Sequence, residues 1–133
     1  MEKDYLVDTN ILIYYFADAI PKKELDLIEK IFKTSFNISV ITKIEFLGWE
    51  KHTEVGFEKA RKFVDFADVI PLTNEIANLT IDIRRIYKIK LPDAVIAATA
   101  LHTNLIIVTR DADDFKDVEG LRIYNLNLTV NSI

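Results

Sequence analysis

Tyr5-Leu-Val-Asp-Thr-Asn10 runs a short apolar stretch straight into an acid, and Leu105-Ile-Ile-Val-Thr-Arg-Asp111 repeats the arrangement near the other end of the chain. Neither run alternates polar with apolar residues. Continuous apolar runs of this length suit strands covered on both faces, the habit of a parallel sheet. In such a sheet the residues just past the carboxyl ends of the strands line the crevice where ligands bind. Asp8 and Asp111 thus reach one edge from two distant segments, and two carboxylates at that edge suggest a metal site.

The segments between these runs alternate strand with helix. A strand near 4–7 leads into a helix from about Asn10 to Asp18. Pro21 then opens a helix near 22–34, with Leu25, Ile28, Ile31 and Phe32 on one face. Residues 36–40 form a second strand, followed by a helix from about Thr42 to Lys51 and another over 55–66. A short strand at 68–72 precedes a helix that Thr73 or Asn74 caps and that reaches about Lys88. Pro92 opens a helix over 92–102 that is apolar nearly all round and therefore deeply packed. Strand 105–109, an acidic loop and a last strand near 121–126 complete the order, and residues 129–133 read as a loose tail. The alternation predicts an α/β fold, a parallel sheet with helices on both faces.

Composition narrows the chemistry. A length of 133 residues suits one domain, 1–133, and the low count of three Gly and three Pro suits a compact chain. Without cysteine, disulfides and thiolate metal sites are excluded, leaving oxygen ligands or His52 and His102. No apolar run reaches the ~20 residues needed to span a bilayer, and the acidic start does not resemble a signal peptide, so the expectation is a cytoplasmic protein without a membrane partner. A net charge of −4 argues against a basic nucleic-acid coat, though not against a nucleic-acid enzyme.

Two more acids follow from topology. The helix that feeds a parallel strand starts at the carboxyl edge, which brings Asp93 there; Glu45, one turn into the helix after the second strand, joins it. Each acid has an innocent explanation. Asp8 suits a helix cap, Thr42-Lys-Ile-Glu45 fits a capping box, Asp93 favours a helix dipole, and Asp111, Asp113 and Asp114 suit Asx turns. Together these explanations weaken, because two like charges about 4 Å apart cost on the order of 4 kcal/mol at an effective dielectric of 20. A divalent cation relieves that repulsion, and an all-oxygen set suits Mg²⁺ or Mn²⁺. Thr9 and Thr109 are placed to hold a water or steady a carboxylate, with strand-end hydrogen bonding as the equal alternative. His52 and His102 receive no catalytic role, and Tyr14, Phe46 and Trp49 read as core or interface aromatics.

Four pieces in order, Leu6-Val-Asp-Thr-Asn10, Ser39-Val-Ile-Thr-Lys-Ile-Glu45, Leu91-Pro-Asp-Ala-Val-Ile-Ala-Ala98 and Val108-Thr-Arg-Asp-Ala-Asp-Asp-Phe115, resemble the PIN-domain ribonucleases, in particular the VapC-type toxins of toxin–antitoxin pairs. The resemblance implies a three-layer α/β/α sandwich with strand order 3-2-1-4-5. It implies Asp8, Glu45, Asp93 and Asp111 as catalytic and metal-binding residues, with Thr9 and Thr109 in support and Asp114 as an alternative or partner to Asp111. It also implies a homodimer, an RNA substrate such as transfer or ribosomal RNA, and a small antitoxin that blocks the site. The leading expectation is a Mg²⁺- or Mn²⁺-dependent endoribonuclease. A housekeeping RNA-processing nuclease of the same fold and a non-catalytic binding module are the other readings.

Overall fold

The structure, a computed structural model, describes residues 4–126; the tail read at 129–133 lies outside them. Five strands, β1 (Tyr5–Val7), β2 (Asn37–Ser39), β3 (Asp68–Ile70), β4 (Ile106–Thr109) and β5 (Ile123–Asn125), make one sheet in the order β3-β2-β1-β4-β5. Every neighbouring pair is parallel. This is the 3-2-1-4-5 order that the family resemblance implies.

The two central strands show why their sequences are apolar throughout. Leu6 and Ile107 lie in the core on one face, with Ile76 and Ile83 of α5 (Asn74–Ile86) and the alanines of α6 (Leu91–Thr103). Val7 and Val108 point into the other core. There they meet Ile11 and Leu12 of α1 (Thr9–Phe16), Ile28 and Ile31 of α2 (Lys22–Thr34), Phe46 of α3 (Val40–Leu47), and Ala60 and Val64 of α4 (Glu54–Val64). Successive strand residues face opposite sides, so a strand covered on both must be apolar at every position. Residues Ala94 to Ala100 are buried without exception, and the short side chains of α6 let it lie against β2, β4, α3 and α5.

Several boundaries shift for local reasons. α1 starts at Thr9, because Asp8 caps it by accepting the Thr9 N–H at 2.8 Å. Thr73 caps α5 by accepting the Ile76 N–H. The capping box expected at Thr42 and Glu45 is not formed: Ser39 caps α3 instead, accepting the Ile41 N–H, and Thr42 is already inside the helix, fully buried. α3 ends at Leu47, sooner than its apolar period suggests. Gly48 follows, where a Cβ would stand 2.8 Å from the Ile44 carbonyl oxygen, and the His52 Nε2 lies 2.8 Å from the Phe46 carbonyl oxygen. The imidazole thus closes one of the carbonyls that a helix end leaves open.

Candidate metal centre

Register decides which residues meet. Val7 sits opposite Val108, and the ladder runs one residue beyond β1, with the Asp8 N–H donating to the Val108 carbonyl at 3.0 Å. Asp8 therefore stands beside Thr109 at the carboxyl edge of the sheet. Its two oxygens are both engaged: one accepts the Thr9 N–H and the other accepts the Thr109 hydroxyl at 2.7 Å. Asp8 is both a helix cap and a buried acid, 5% exposed, so its structural and functional readings coexist.

From this pair the network spreads to two more acids. The Thr9 hydroxyl, 3.0 Å from that of Thr42, also lies 2.8 Å from Glu45 Oε1 and so anchors an otherwise exposed side chain. On the other flank the Thr109 hydroxyl accepts the Asp111 N–H at 3.0 Å, and Asn10 Nδ2 lies 3.3 Å from both Thr109 Oγ1 and Asp111 Oδ2. Asn10 is the residue that sequence reading passes over. The register of β1 on β4 is the signal for it, since two residues past Asp8 on α1 faces two residues past Thr109. Asp93 and Asp114 join through charge instead of hydrogen bonds, and the half-buried Asp93 opens the first turn of α6 as expected.

The electrostatics are those of crowded, partly dry carboxylates. Burial pushes the Asp8 carboxyl up from 3.8 to about 7 against its hydrogen bonds from Thr109 and Thr9, and the charges of Asp93 and Glu45 push the same way. Asp93 rises from 3.8 to about 6, first by burial and then through Asp114 and Glu45, with Lys90 opposing and Asp111 adding. Asp114 is also raised, by burial and by Asp111, again with Lys90 opposing. Perturbed carboxyls that perturb one another mark a functional site more often than a structural one. An open hollow of about 500 Å³ adjoins them, lined among others by Tyr87, Lys88, Lys90, Asp93, Asp114 and Asp117.

The donor set is oxygen only, which fits a hard divalent cation. Among the described residues no three acidic or histidine side chains close into a ready cage. A Mg²⁺-type ion, which keeps several of its waters and takes few protein ligands, suits such an open rim; a dehydrated ion in a tight cage does not. His52 and His102 stand apart. His52 closes α3 and meets the rings of Phe46 and Trp49, while His102 is exposed in the last turn of α6. Phe46 and Tyr14 are core residues, as read from the sequence.

Arg110, between Thr109 and Asp111, is less comfortable. Its guanidinium carbon lies 4.2 Å from the centre of the Tyr14 ring, and its buried Nε has no hydrogen-bond partner. A cation over such a ring gains about 0.5–2 kcal/mol. A buried donor without an acceptor costs about 1–3 kcal/mol. These offset each other, so the resting position is held weakly.

A family model described as the PIN domain matches residues 5–121. The chain belongs to the PIN domain family. PIN domains are in general nucleases, and in general they use divalent metal ions. Among solved structures the chain is similar to one in a toxin–antitoxin complex from Klebsiella pneumoniae, with 31% identity, a TM-score of 0.75, and coverage of 92% of this chain and 100% of that one. DNA-bound VapBC from Salmonella typhimurium shares the PIN fold at 23% identity and a TM-score of 0.80, covering 93% of this chain and 98% of that one. VapBC2 from Rickettsia felis, bound to a promoter DNA fragment, does so at 23% identity and a TM-score of 0.78, covering 92% and 98%. No curated protein matches the chain. Among the described residues of this PIN domain no helix is long and apolar enough to cross a membrane.

Proposed function

We propose that this PIN domain is a Mg²⁺- or Mn²⁺-dependent endoribonuclease and the toxin of a toxin–antitoxin pair, with Asp8, Glu45, Asp93 and Asp111 forming the cation site, in part through the ion's own waters. The observation that carries the reading is the mutual repulsion of buried or half-buried carboxyls from separate segments at one sheet edge, with Asp8 and Asp93 both pushed far up. A fold maintained by acids that repel one another has a use for them. The 31% identity to a chain in a toxin–antitoxin complex, over the full length of that chain, supports the toxin role and a small antitoxin as partner.

A bound divalent ion supplies a Lewis acid for the phosphodiester and a water nucleophile at neutral pH. The chain's residues do the rest. Thr9 N–H and the Thr109 hydroxyl fix both oxygens of Asp8, so the carboxylate cannot rotate away from the rim. Asn10 steadies Asp111, which supports Asp111 as the fourth acid, with Asp114 acting on Asp93 through charge. Glu45, exposed and anchored by Thr9, takes the proton from the attacking water. Water adds to phosphorus and the 3′-oxygen leaves with a proton, giving a 5′-phosphate and a 3′-hydroxyl. A homodimer and a cytoplasmic location belong to the same reading.

The test is cleavage of transfer and ribosomal RNA by purified protein with Mg²⁺ or Mn²⁺, beside Asp8→Asn. Metal-dependent products with 5′-phosphate ends from the wild type alone support the reading. Equal cleavage by both proteins overturns it. Growth arrest on expression, relieved by the small open reading frame beside the gene, separates a toxin from a housekeeping nuclease, which leaves growth unhindered.

A further inference from the structure

Beside the hydrogen-bonded acids at the sheet edge, one buried polar group is left without a partner. Arg110 is joined on either side to residues of the hydrogen-bond network, its own N–H lying 3.4 Å from Asn10 Oδ1, yet its guanidinium makes no hydrogen bond or ion pair among the described residues. Its Nε is also the one buried side-chain polar atom there without a partner. Of the exposed lysines that line the hollow, Lys90 acts on Asp93 and Asp114, so its charge is already answered by acids, and Lys88 has no buried donor left unanswered as Arg110 has.

We propose that Arg110 is a substrate-phosphate ligand: its guanidinium leaves the Tyr14 ring and binds a backbone phosphate of RNA beside the scissile one. The assignment rests on the nuclease reading above. A phosphate oxygen pair matches the guanidinium fork in geometry and charge. The resting place on Tyr14 leaves a donor unanswered, so departure forfeits little. The root of the side chain stays fixed by Asn10 while its long stem moves, which keeps the guanidinium within reach of the rim. The need is plain as well, since a chain of net charge −4 with an acid rim must offer RNA some free cation at the point of attack.

Fluorescence anisotropy with a labelled single-stranded RNA oligonucleotide tests this across a salt series, with Arg110→Gln and Arg110→Lys each placed in the non-cleaving Asp8→Asn chain. Arg110→Gln weakens binding about tenfold at low salt. It also lowers the slope of log affinity against log salt by about 0.7, the loss of one phosphate contact on a single strand. Arg110→Lys keeps the slope. In otherwise wild-type protein, Arg110→Gln leaves the Mn²⁺-induced rise in Tm unchanged. An unchanged salt slope in Arg110→Gln overturns the proposal, as does a weakened affinity accompanied by loss of the Mn²⁺ response, which makes Arg110 a structural plug. If the parent chain binds no RNA at all, the nuclease reading falls and takes this one with it; if the parent binds and the slope stays put, Arg110 alone is removed.

Discussion

Burial and hydrogen bonding pull Asp8 in opposite directions. Its oxygens accept two hydrogen bonds that favour the ionised form, yet the surrounding apolar strands and neighbouring acids raise it to about 7. An acid whose folded value lies above its unfolded value binds protons more tightly in the native state, so the metal-free fold loses stability as the pH rises from about 4 to about 7. For a carboxyl moved from 3.8 to about 7 the full cost is roughly 4 kcal/mol above pH 7. Metal-free protein should therefore melt several degrees higher at pH 5.5 than at pH 7.5, and Mn²⁺ should erase most of the difference; a calorimetric Tm series in chelator and in Mn²⁺ checks both. Asp8→Asn, which keeps a capping oxygen but sheds the charge, should leave metal-free stability at pH 7.5 equal or higher. Thr109→Val acts differently. The hydroxyl donates to Asp8 and accepts from Asn10 and from the Asp111 N–H, so its loss should cost about 1–3 kcal/mol in urea melts. A variant as stable as the wild type would show that the hub does not hold the site.

At the scale of elements, parallel pairing turns local sequence into a site. β1 and β4 are each followed within two residues by an acid, and α6 starts at the edge where β4 ends, so Asp8, Asp93 and Asp111 share an edge by topology alone; this much is legible because the apolar runs of both strands are unbroken. Glu45 reaches the edge too, but the local motif misleads about how. Thr42-Lys-Ile-Glu45 has the form of a capping box, whereas Ser39 performs the capping one turn earlier and frees Glu45 to bond Thr9. Asn10 and Arg110 are opaque to sequence reading, because their roles come from a side chain on α1 facing a loop brought alongside by register, and no local pattern encodes that. The end of α3 is equally hidden, since a histidine from the following turn closes it. α6, by contrast, is readable from its alanines. Ala97 is fully buried between helix and sheet, so Ala97→Leu should overpack the interface and cost about 1–3 kcal/mol in chemical denaturation. Tolerance without loss would mean that α6 does not lie close to the sheet.

For the whole molecule, the sheet divides the labour. Its two faces carry separate cores that give stability, while its carboxyl edge gathers groups that work against stability. Ile81 and Ile86 stand 55% and 72% exposed on α5, two apolar side chains that a partner copy would cover. If two copies pair there, Ile86→Glu should convert a dimer to a monomer in light scattering without altering Mn²⁺ binding; a wild type that is monomeric removes the dimer from the account. The role proposed for the carboxylates of four segments is to hold one divalent site. Calorimetric titration of Mn²⁺ into the wild type, Asp8→Asn, Glu45→Gln and Asp93→Asn tests it most directly. The account predicts saturable binding by the wild type and an affinity at least about tenfold weaker in each variant, the scale of one lost charged contact; variants that bind Mn²⁺ as tightly as the wild type would contradict it.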